Sequence, residues 1–139
     1  MHFIALMAVL LSSRLTFHAV VVEDVPPQFV GVWSPDLNDC ASGDNDGIVR
    51  IAKRYIGHWE SEGPIRAVVV RGKYEIALIT ELAGEGDTRL TTERFELDPS
   101  GSALYSRNHP AHQSTLFRCP DEGERPNDSS RPKPLHGVD

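Results

Sequence analysis

"IRAVVVRGKYEIALITEL", residues 65–82, decides the fold class. In its second half, Tyr74, Ile76, Leu78, Thr80 and Leu82 share one face of an extended chain, and Lys73, Glu75 and Glu81 share the other. A period of two marks a strand with one buried face. The first half, 65–72, reads as the strand before it. Upstream, "EGP" (62–64) carries the Gly-Pro chemistry of a turn. Downstream, "GEGD" (84–87) turns the chain into "TRLTTERFELD" (88–98). There Leu90 and Thr92 fall on one parity and Phe95 and Leu97 on the other. One extra residue near Glu93–Arg94 would reconcile them, which predicts a bulge or strong bend.

The same grammar covers the rest of the core. "FVGVWS" (29–34) follows Pro26 and Pro27, and "IVRI" (48–51) and "YIGHWES" (55–61) flank the short basic link 52–54 as in a hairpin. "DPSG" (98–101) is a type I turn. "SALYSR" (102–107) and "STLFRC" (114–119) complete eight short strands. No connection has room for a crossover helix, so sequential antiparallel neighbours are the economical topology. The expectation is an all-β fold: a small antiparallel up-and-down barrel, or half-barrel, of about eight strands. A closed barrel leaves no exposed edges. Trp33, Trp59, Phe95 and Phe117 are read as core.

The 139 residues fit one domain. Residues 1–19 read as a signal peptide, because Phe3–Leu11 is an apolar run of export length and Ala19 offers a cleavage site. The run is too short to span a bilayer. Residues 20–28 form a lead-in, 29–120 the barrel domain and 121–139 a disordered tail rich in Pro, Ser and charge. The chain is therefore expected to be periplasmic or secreted, with no membrane span in its mature part. Net charge is −6. Nucleic-acid binding draws on clustered Lys and Arg, so no such partner is expected. Arg50, Lys53, Arg54, Arg66, Arg71 and Lys73 alternate with apolar residues as the solvated face of strands.

Cys40 and Cys119 bracket almost all of the core. In an oxidising compartment they pair. Closing a loop of about 80 residues contributes roughly 4–5 kcal/mol in the chain-entropy model. Neither cysteine has a partner at zinc spacing. The acidic loop "NDCASGDNDG" (38–47) resembles a calcium loop, but aligning Gly47 to the central glycine puts Ser42 and Lys53 where acids belong. It reads as a solvated turn anchored by the disulfide. His109-x-x-His112 lies in a Pro-containing loop without a third ligand. No metal, cofactor or catalytic residue is assigned.

Gly31-Val32-Trp33 on the first strand, with Arg118 on the last, resembles the Gly-x-Trp and late cation of the calycin superfamily, which includes the lipocalins. That resemblance implies a barrel closed at one end by Trp33, with Arg118 stacked on it. A broader pattern resembles a group of small exported bacterial proteins of unassigned activity: Gly31/Trp33, Asp39-Cys40, Trp59-Glu60-Ser61, Leu97 through Leu104, and Arg118-Cys119-Pro120. It covers about residues 29–120 and implies export without implying a reaction. The functional expectation is a non-catalytic binding module for a small apolar ligand or an envelope protein partner. The alternatives are an interaction domain with a packed core and no ligand, or a hydrolase using Glu60 or the histidines. Large interior residues favour binding through a rim or face over a deep pocket.

Overall fold

The computed structural model describes residues 16–108 and 113–121. The leader up to residue 15, His109, His112 and the tail from 122 onward lie outside the described residues. The chain forms a closed antiparallel barrel of eight strands with one strand added: β1 (Ala19–Val22), β2 (Gly31–Ser34), β3 (Val49–Ile51), β4 (Tyr55–Gly57), β5 (Glu62–Arg71), β6 (Glu75–Gly84), β7 (Asp87–Leu97), β8 (Ala103–Ser106) and β9 (Ser114–Arg118). Strands β2 to β9 pair in sequence order, and β9 pairs back onto β2 through Trp33↔Arg118 and Ser34↔Phe117. No helix among the described residues is long and apolar enough to cross a membrane.

The strands are unequal. β5, β6 and β7 run for 10, 10 and 11 residues, while the others have three to five. The short β4 pairs only with the first part of β5 (Tyr55↔Pro64 to Gly57↔Glu62). β1, which starts at Ala19, the last residue of the expected signal peptide, and runs into the expected lead-in, takes over the far part (Ala19↔Arg71 to Val22↔Val68). An otherwise exposed sheet edge is thereby covered. The link from β1 to β2 crosses back over the barrel: Val25 N–H donates to the Lys53 carbonyl, and Arg54 and Lys53 hold Asp24.

Three local readings change. Residues 62–64 are strand rather than turn, and the turn is 58–61, where His58 N–H donates to the Ser61 carbonyl. Gly63 serves close packing, since a Cβ there would lie 1.8 Å from the Glu81 carbonyl oxygen. β7 has no bulge: its register with β6 is unbroken from Glu75↔Glu96 to Gly84↔Asp87. The irregularity falls instead in β5, between Ile65 and Ala67. An unbroken β7 turns Glu93, Phe95 and Leu97 inward and Leu90 outward.

The interior is filled by side chains. Phe29, Trp33, Ile56, Val68, Ile76, Leu78, Phe95, Leu97, Leu104 and Leu116 form one buried cluster. Trp59, Tyr74 and Phe117, assigned to the core by residue type or strand parity, are exposed. Tyr74 and Trp59 sit in turns beyond the last paired residue, where parity no longer sets direction. Phe117 alternates outward from buried Leu116. Cys40 and Cys119 are joined by a disulfide.

Candidate functional site

Successive loops of a meander barrel alternate between its ends, so each end is built from separate parts of the sequence. At one end Trp33 is fully buried, and its Nε1–H donates to the Phe29 carbonyl at 3.0 Å. The Arg118 guanidinium stacks on the Trp33 ring, 4.2 Å from the centroid. It also donates to the carbonyls of Gln28 (2.5 Å), Val30 (2.8 Å) and Gly101 (3.0 Å). Burial pushes this guanidinium below its ordinary pKa, against the opposing charge of Asp121. Gly31 is required beside it: its φ is +148°, and a Cβ would lie 2.9 Å from an Arg118 nitrogen. The structure thus gathers Gly31, Trp33 and Arg118 into one plug. The indole N–H and all three guanidinium nitrogens donate to backbone carbonyls.

The other end is open. The β4–β5 turn, the β6–β7 turn and the loop before β3 surround a cleft of about 380 Å³. Its lining includes Asp46, His58, Trp59, Glu60, Glu85 and Arg89. Gly84 lets the first turn rest on the second: a Cβ there would lie 2.1 Å from the Glu60 carbonyl oxygen. Trp59 is 56% exposed. Asp46, Glu60 and Glu85 form no ion pair with any described residue, whereas Glu23, Asp24, Glu75, Glu81 and Glu96 each have an arginine partner.

Beneath the cleft lies a polar pair that sequence reading missed. Glu93 projects into the barrel and is almost fully buried. Its Oε1 is 2.7 Å from His58 Nε2, a contact whose angle falls outside a directed hydrogen bond. Its Oε2 is 3.4 Å from Thr80 Oγ1, which also donates to the Thr91 carbonyl. A buried carboxylate persists only when partnered, and the partner here comes from a turn far away in the chain. The one available signal was Glu93's parity with Phe95 and Leu97. His58 and Glu60 share the cleft, while Ser61 makes no hydrogen bond to the imidazole. No cluster of three or more metal-ligating side chains exists among the described residues. The acidic loop's side chains serve its own turns: Asn45 donates to Asp39 (2.6 Å) and accepts from Gly47 N–H (2.8 Å).

No family model matches the chain, and neither a curated protein nor a solved structure is significantly similar to it.

Proposed function

We propose that this protein is an exported, non-catalytic binding module that works through its open rim, taking a cationic group into the Trp59 cleft. The carrying observation is an exposed indole placed among three carboxylates that have no cation partner among the described residues. An aromatic face attracts an ammonium or guanidinium, and unpaired carboxylates supply charge-assisted hydrogen bonds. Arg89 offsets only part of that negative charge. A small apolar ligand has no room in the filled interior, so recognition is assigned to the mouth. The disulfide and the apolar leader support an oxidising location, periplasmic or extracellular.

The test is titration of the processed, oxidised protein with agmatine, a small guanidinium-bearing amine, followed by tryptophan fluorescence. Trp33 is shielded, so the response reports Trp59. Saturable quenching that is lost in Trp59→Ala and weakened several-fold in Glu60→Gln is the expected result. No response up to millimolar agmatine overturns this reading.

A second reading, hydrolysis, draws on one observation: His58 lines the same cleft with its Nε2 2.7 Å from the buried Glu93 carboxylate, a neighbour that could serve a general base. It predicts turnover of a model ester that is lost in His58→Gln and kept in Trp59→Ala.

A further inference from the structure

A second groove, of about 510 Å³, lies on the outer wall of the barrel, away from the mouth. Its floor follows the strand register. Val69 pairs with Ala77 and Ala77 with Arg94, while in the next row Ala19 pairs with Arg71, Arg71 with Glu75 and Glu75 with Glu96. Val69 and Ala77 are half-buried on this outward parity, opposite buried Val68 and Ile76. Beside them stand three arginines. Arg71 pairs with Glu75, and Arg107 pairs with Glu96 and donates to Gln113. The Arg94 guanidinium has no partner among the described residues.

That free guanidinium sits opposite another. The Arg107 N–H donates to the Arg94 carbonyl, so the two arginines face each other across β7 and the start of the β8–β9 loop. Like charges directly opposite on a sheet repel. Glu96 neutralises Arg107, and no described residue neutralises Arg94. The patch carries three cations and two anions on a chain whose net charge is −6, so it does not reflect a generally basic surface. The groove's size is that of small-molecule sites.

We propose that this outer groove binds an amphiphilic monoanion, with its carboxylate on Arg94 and its short alkyl chain along Val69 and Ala77. Arg107 and the side-chain amide of Gln113 flank the anionic end. The site is separate from the Trp59 cleft and takes the opposite charge, so neither proposal depends on the other.

The test is an amide-resolved NMR titration of the oxidised protein with decanoate, decyltrimethylammonium and acetate. Decanoate is expected to shift the amides of Val69, Ala77 and Arg94 saturably and to leave tryptophan fluorescence unchanged. Acetate is expected to bind at least tenfold more weakly, because it lacks the chain. In Arg94→Gln, an exposed substitution whose folding the same spectra verify, decanoate affinity falls at least tenfold; in Arg89→Gln, at the mouth, it does not change. Equal binding of decyltrimethylammonium at these amides overturns the proposal, because it reduces the groove to an apolar surface without charge selection. Absence of saturable decanoate shifts, or full decanoate affinity in Arg94→Gln, overturns it as well.

Discussion

The chain has two tryptophans, and they mark opposite ends of the barrel. Trp33 lies inside β2, with paired strands on both sides, and is fully buried. Trp59 lies two residues past β4, in a turn, and is mostly exposed. The same residue type closes one end and opens the other. Residue type alone does not decide the burial of a large aromatic ring here. Around Trp33, polar groups are consumed by backbone carbonyls. Around Trp59, carboxylates have no ion-pair partner among the described residues. The first arrangement suits stability, and the second leaves interaction energy available for a ligand.

Truncating the two rings breaks this comparison most directly. Trp33→Ala removes a fully buried ring and the surface on which Arg118 stacks, and is expected to cost about 3–5 kcal/mol. Trp59→Ala is expected to change stability by less than about 0.5 kcal/mol. Urea denaturation of both variants checks the contrast, and equal losses would refute the assignment of a plugged and an open end.

The polar layer beneath the mouth is expected to behave differently from the plug. Glu93→Ala leaves His58 and Thr80 facing an emptied interior. The cost is about 2–3 kcal/mol, less than for a fully buried pair because a quarter of the His58 side chain is exposed. Replacing both partners, His58→Leu with Glu93→Leu, is expected to recover most of that loss. A double mutant no more stable than Glu93→Ala would mean that the pair is not the unit.

The smallest effect belongs to the surface clamp on the β1–β2 link. The hydrogen bond from Arg54, aided by Lys53, holds the Asp24 carboxyl below its ordinary range. A folded-state pKa below the unfolded one stabilises the fold above the unfolded value. That contribution is lost as pH falls below about 4 and through the folded value. Asp24→Asn should flatten this part of the acid limb and change little at neutral pH. Urea midpoints between pH 6 and pH 2 measure it, and identical acid limbs for the two proteins would exclude the clamp.

Much of the barrel was legible in local pattern. The alternation at Ile76, Leu78, Thr80 and Leu82 placed β6 and its inward face, and the turn chemistry of Asp98–Gly101 is realised with the Gly101 N–H donating to the Asp98 carbonyl. The candidate site was less legible. Leu90 and Thr92 suggested the wrong inward parity for β7. The β6–β7 hairpin carries Leu90 into solvent, and Glu93 is acceptable inside because His58 meets it. Neither fact is local: one depends on where the neighbouring strands stop, and the other on a residue from another turn.

By itself, the sequence determined the quantities that depend on near neighbours: strand content, antiparallel order and the positions of most turns. These follow from side-chain alternation and from residues suited to turn geometry. Only the tertiary structure decided closure of β9 onto β2, recruitment of β1 to the uncovered part of β5, and burial of Glu93 against His58. It also decided which tryptophan faces water. Each of these depends on the unequal lengths of strands distant in sequence, and a one-dimensional pattern carries no measure of where a neighbouring strand ends.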